Sequence, residues 1–257
     1  MKTKIVIQFT LLTLGITLLT WGGMVVLGQL GITLDNHPWQ FAFFMLGGLS
    51  PTYVSYIVLK RNGEVTGFKE WLKNVFYVKS KISHYLLAVS LVVLFFGTQI
   101  AISGIAELRP LYMFFIGILI SFVGGGLEEA GWRYILQPEL NKKYGFILSA
   151  IITGLIWFAW HIPLFFIPGV GQYGRSLWMF AVNVLGMTFF YGAIIKVAGK
   201  SSVFLSVLAH TLTNAVWEVL SLYETWTGTI VTFVVMFTIS SMIILLDKRQ
   251  KNPEFIS

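Results

Sequence analysis

The chain has 257 residues, 56% of them hydrophobic and only 11% charged, and its mean hydropathy of +0.78 lies far above that of a soluble domain, where about a quarter of residues carry charge. With 11 Asp+Glu and 18 Lys+Arg to cover 28.9 kDa, a water-soluble globule is excluded and most of the surface is expected to face lipid. The absence of cysteine removes disulfides, thiolate metal sites and cysteine nucleophiles, and the net charge of +7 is read as cytoplasmic loops at an anionic inner leaflet, not as a nucleic-acid surface.

A spanning helix needs about 20 mainly apolar residues. The first such run follows Met1-Lys2-Thr3-Lys4 and resembles a signal peptide at its start, but it continues past Trp21 without a small-residue cleavage site and is read as the first span. Windows of this length predict spans over 5–28, 39–59, 83–103, 110–136, 146–167, 177–196, 201–221 and 226–246. The polar connection from Lys60 to Lys81 reads as an amphipathic interfacial segment, with Phe68, Trp71, Leu72 and Phe76 against Lys69 and Lys73. The expected architecture is an all-α, polytopic membrane helix bundle of about eight spans, one domain over 1–257.

Alternate loops carry the positive charge: Lys2 and Lys4, then Lys60, Arg61, Lys69, Lys73, Lys79 and Lys81, then Lys142 and Lys143, Lys196 and Lys200, and finally Lys248, Arg249 and Lys251. The intervening loops hold only Arg109 and Arg175, and Arg133 lies inside a predicted span. This asymmetry predicts cytoplasmic termini.

The fourth span contains Gly124-Gly125-Gly126-Leu127-Glu128-Glu129-Ala130-Gly131-Trp132-Arg133. Each intramembrane charge costs at least about 2.5 kcal/mol near the bilayer centre. Glu129 and Arg133, one turn apart, can pair, which leaves Glu128 about 100° around the helix without a local partner. His161 follows in the fifth span, and His210 with Asn214, again one turn apart, in the seventh. Counting from the cytoplasmic helix ends at about 1.5 Å per residue puts Glu128, His161 and His210 at comparable depths in the cytoplasmic half, so the expectation is one functional site. Glu218 and Glu224, near Trp217, Tyr223 and Trp226, read as a solvated edge; Glu107, Arg109 and His37 read as loop residues and His84 as a helix start. The Phe and Trp stripes read as lipid-facing or packing residues, and Gly124 to Gly126 as a place of close helix approach.

Glutamate and histidine together suit general acid–base work on a water molecule. A water between Glu128 and His161 could attack a carbonyl while His210 and the Asn214 amide donate to the oxyanion; equally, two histidines and a glutamate are a familiar zinc set. Residue types alone do not separate the two. No His-Glu-x-x-His helix, Gly-x-Ser-x-Gly elbow or Walker loop is present.

Glu128-Glu129-x-x-x-Arg133, Trp157-x-x-x-His161 and His210-x-x-x-Asn214, in this order on three spans, resemble the motifs of the CPBP family, the CAAX-protease and bacteriocin-processing (Abi) membrane proteins related to the Ras-converting CAAX protease. The resemblance covers about residues 110–220, the family's catalytic core. It implies a glutamate- or metal-dependent intramembrane endopeptidase, with Glu128 as base, His161 orienting or sharing the water, His210 and Asn214 stabilising the oxyanion, and Glu129 and Arg133 as structural support. If a metal is required, Zn2+ is the candidate, with Glu128, His161 and His210 as ligands. One departure stands out: the second motif usually begins with Phe, and here the position is Trp157, with Phe158 beside it. The implied partners are a peptide or membrane-protein substrate and the bilayer, in a bacterial cell membrane, with the cavity opening to the cytoplasm. The alternatives are a non-catalytic bacteriocin-immunity or scaffolding protein on the same fold and an ion-coupled transporter using the same side chains as a relay.

Overall fold

The structure, a computed structural model, describes residues 1–199 and 203–247. Lys200, Lys248, Arg249 and Lys251 of the charge pattern lie outside the described residues. The described chain is an all-α bundle, as its composition predicts, closed at one end by a short two-stranded ribbon that the sequence did not announce. Helix α1 runs over Thr3–Gln29, and α2 (Gln40–Gly48) is joined to α3 (Ser50–Arg61) by a bend of 53°. Pro51 falls in the first turn of α3, where its missing N–H costs nothing. The predicted interfacial segment folds as α4 (Phe68–Val75), pinned by the buried Trp71 indole, which donates to Ser55 Oγ at 3.0 Å. Before it, the Thr66 hydroxyl and amide both donate to Glu70 and hold its carboxyl below the usual range.

After α5 (Ile82–Ser103), strand β1 (Ile105–Leu108) pairs antiparallel with β2 (Leu220–Leu222). The fourth predicted span is interrupted. Helix α6 (Tyr112–Gly124) stops at the glycine run, and Gly126–Glu128 form a 3-10 turn. One α turn, α7 (Glu129–Gly131), and a π-helical stretch, Trp132–Leu136, then lead into α8 (Gln137–His161). Consecutive glycines are poor helix formers, and a π-type turn inside a helix re-aims the side chains around it. Gly145, at φ 72°, bends α8. Helices α9 (Leu177–Ala198), α10 (Val203–Val219) and α11 (Trp226–Leu246) complete the bundle, with Ser176 and Thr225 capping α9 and α11 by accepting from Met179 N and Gly228 N.

Helices occur in each of the eight predicted stretches, but length and composition alone qualify five continuous segments among the described residues as spans, or six with the bent α2–α3 pair. One of the five, Tyr112–Phe166, contains both the fourth and fifth predicted spans, and α10 is a 17-residue apolar helix. Leu18, Leu19, Leu119 and Leu245 are exposed, the surface expected of a chain solvated by lipid. The two ends of the bundle are chemically distinct. At one, Lys2 N donates to Glu139 at 2.8 Å, Lys2 pairs with Glu64, and Asn74 donates to Tyr134 at 2.9 Å. At the other lie the β1–β2 ribbon, the Arg109 N to Val219 O bond at 2.8 Å, and an Arg175–Glu224 ion pair.

Candidate active site

The broken helix carries the site. Glu128 closes the 3-10 turn, and its Oε2 accepts from the indole of Trp132 at 3.3 Å and from that of Trp157, on α8, at 2.9 Å. The expectation that Glu128 lacks a local partner is therefore corrected: Trp132 stands four residues on, and a tryptophan at that spacing was the signal available. Trp132 and Trp157 are also removed from the class of plain packing residues. They are fully buried donors to a carboxylate, in a cluster with Trp160, whose indole donates to Ser50 Oγ at 3.2 Å.

Glu129 does bond Arg133, at 3.2 Å, with both side chains wholly buried. The same carboxylate oxygen also accepts from His210 Nδ1 at 2.8 Å, a contact between α7 and α10 that sequence spacing gave no means of seeing. Arg133 lies against the faces of Trp157 and Tyr191, at 4.8 and 5.0 Å from the ring centres. Glu129 thus positions a histidine as well as neutralising a guanidinium.

The histidine tautomers follow from their partners. His161 Nδ1 lies 2.8 Å from the carbonyl of Trp157, which can only accept, so Nδ1 carries the proton and neutral His161 presents Nε2 as an acceptor. His210 Nδ1 likewise donates to Glu129. With Nδ1 donating, its Nε2 can donate as well only in the imidazolium form. Gly125 makes room for this edge: a Cβ there would lie 3.3 Å from His210 Nε2 and 2.3 Å from Asn214 Nδ2. At Gly126 a Cβ would lie 2.3 Å from Thr211 Oγ1, so two of the three glycines serve close approach to α10, while Gly124 faces open space.

Glu128, His161, His210 and Asn214 line a single cavity of about 740 Å³. Glu218, one turn beyond Asn214, lines it too, as does Glu224, which is exposed as the solvated-edge reading expects; that reading did not use the 210–214–218 spacing that puts Glu218 on the His210 face of α10. His37 and His84 stay outside, beside Asn36 and Ser80 respectively. The charged part of the exposed lining, Arg109, Arg175 and Glu224, lies with Tyr223 at the ribbon end of the bundle, the exposed Ile120 and Gly124 line it from α6, and none of the described lysines takes part. No described residue of the lysine-rich end, toward which the opening was expected, lines the cavity. Counting depth along ideal helices misled because the chain breaks at Gly125 and bends at Gly145.

Nδ1 of each histidine is bonded to an oxygen acceptor, the arrangement that holds metal-bound histidines in place. Yet among the described residues no three His, Asp or Glu side chains are close enough together to hold a metal ion. The donor chemistry fits zinc and the spacing of the described residues does not.

Residues 110–216 match the family described as Type II CAAX prenyl endopeptidase Rce1-like. Over this stretch the chain is similar to that family. The matched stretch holds all three motifs, from Glu128 to Asn214. A curated relative, CAAX prenyl protease 2 of Methanococcus maripaludis, is 29% identical over 141 residues, 51% of this chain and 50% of the archaeal protein. The chain therefore spans about half the length of that relative.

Proposed function

We propose that the protein is an intramembrane endopeptidase that hydrolyses peptide bonds with a glutamate-activated water. The observation that carries this reading is the convergence of Glu128, His161, His210 and Asn214 on one cavity, with Nδ1 of each histidine held by an oxygen acceptor. The kinship with prenyl endopeptidases supports peptide hydrolysis over immunity by binding or ion transport.

A water donates one hydrogen bond to Glu128 and one to Nε2 of His161. As its oxygen attacks the substrate carbonyl carbon, its proton passes to Glu128. The negative charge developing on the carbonyl oxygen is met by the Asn214 amide and by Nε2–H of His210, whose positive charge is balanced by Glu129 on the far side of the ring. Glu128 then hands the proton to the departing amine nitrogen as the C–N bond breaks, leaving a carboxylic acid that keeps the second water proton, a neutral amine and a regenerated base. The indoles of Trp132 and Trp157 hold Oε2 so that Oε1, which makes no hydrogen bond to the described residues, is the oxygen offered to water.

The test is cleavage of a peptide library, with and without prenylated members, by detergent-purified protein, measured together with its zinc content. Glu128→Gln keeps the size of the side chain and cannot accept the proton, so it should abolish cleavage while the protein elutes and melts like the parent. Undiminished cleavage by Glu128→Gln overturns the mechanism, and stoichiometric zinc would replace the glutamate-activated water by a metal-bound one.

A further inference from the structure

We propose that the cavity is entered from the non-cytoplasmic face of the membrane, so that the substrate is a polypeptide segment presented on the outer side. This rests on the protease reading for the word substrate, but the direction of entry rests on two independent observations. The first is where the cavity opens. Its floor is made by Glu128, His161 and His210, all buried, and its rim by Arg109, Gln172, Arg175, Ser221, Tyr223 and Glu224. Every rim residue belongs to the end where β1 and β2 pair and where the 168–176 loop meets residue 224.

The second is how charge is divided between the ends. Lys2, Glu64, Glu139 and Lys142 are tied together at the opposite end, which places the loops around 60–81 and 139–143 there with the first residues of the chain. Those loops hold most of the lysine and arginine, whereas the rim end has Arg109 and Arg175 alone. Each of these two is matched by a carboxylate, Glu107 at 3.6 Å from Arg109 and Glu224 on Arg175, so the rim end carries no cationic excess. Excess Lys and Arg in short loops stays on the cytoplasmic side during insertion. The end that carries the opening is the end translocated.

The direction of entry excludes a class of substrate. A segment confined to the cytoplasm would meet the lysine-rich end, from which no described residue lines the cavity. A secreted peptide, or the outer juxtamembrane stretch of a membrane protein, meets the rim directly.

The cysteine-free sequence makes the test clean. Gln172→Cys and Ser221→Cys at the rim and Lys143→Cys at the far end, each the single cysteine of the full chain, are exposed in intact cells to a membrane-impermeant maleimide, before and after permeabilisation. The expected result is labelling of both rim cysteines in intact cells and labelling of Lys143→Cys only after permeabilisation. The reverse pattern, or rim cysteines that react only once the membrane is opened, overturns the proposal; rim cysteines that stay unreactive in both states overturn it as well, since the rim would then be closed to solvent. Labelling needs no catalysis, so outward access combined with a Glu128-independent or absent cleavage would sink the protease reading and leave the direction of entry standing.

Discussion

Trp157 shows how much one side chain can carry. Its carbonyl fixes the tautomer of His161, its indole N–H donates to Glu128, and its ring face receives Arg133. In the sequence it stood only as an aromatic in place of the usual Phe, a packing substitution; the structure makes it a donor that Phe could not be. Trp157→Phe keeps the ring and removes the N–H. A hydrogen bond to a charged group contributes about 1.5–3 kcal/mol, so kcat should fall by roughly tenfold or more with KM little changed, because the lost contact orients the base and not the substrate; an unaltered kcat would assign Trp157 to packing alone. Glu129 is the second case. Glu129→Gln leaves the Arg133 guanidinium buried and uncompensated, and breaking such a pair costs about 3–5 kcal/mol. Thermal unfolding in detergent should show that loss, and a second substitution, Arg133→Met, should recover much of the stability without recovering activity, since His210 still lacks its carboxylate.

At the scale of elements, the site exists because a helix fails. Had 110–136 continued as one regular span, Glu128 and Glu129 would point about 100° apart with no reason to address α8 and α10 separately. The 3-10 turn, the single α turn and the π-helical stretch change the residues per turn three times within eleven residues, from Gly126 to Leu136, and send Glu128 to Trp157 and Glu129 to His210. The glycines permit the break and the approach together. Gly125→Ala should therefore push the Asn214 amide out of place, with cleavage strongly reduced and a stability loss of about 1–3 kcal/mol from overpacking. Gly124→Ala, which meets open space one residue earlier, should leave both nearly unchanged. Equal losses at the two positions would mean that backbone flexibility, and not the fit against α10, is what the run supplies.

At the scale of the molecule, the bundle has a polar axis. Its flanks present leucines to lipid, its two ends differ in charge, and its cavity descends from one of them to the buried motif residues. Nothing in a hydropathy profile encodes that last fact. A profile is one-dimensional and returns which stretches are apolar, whereas the side from which a cavity opens depends on which helix ends splay and which are tied, here by the contacts of Lys2 at one end and the β1–β2 ribbon at the other.

Composition by itself determined that the chain is a membrane protein, because a surface with so few charges has no other solvent, and apolar runs of about 20 residues made it all-α, because a helix of that length spans the bilayer with its own backbone hydrogen bonds satisfied. Spacing by itself singled out Glu128, Glu129, Arg133, His161, His210 and Asn214, because ionisable groups in apolar helices are too costly to be incidental. The rest was decided in three dimensions. That Glu129 serves His210, that two tryptophans hold Glu128, and that the cavity runs to the charge-poor end are contacts between residues up to 81 positions apart. They arise from helix breaks and inter-helix packing, which the period of a single helix cannot express.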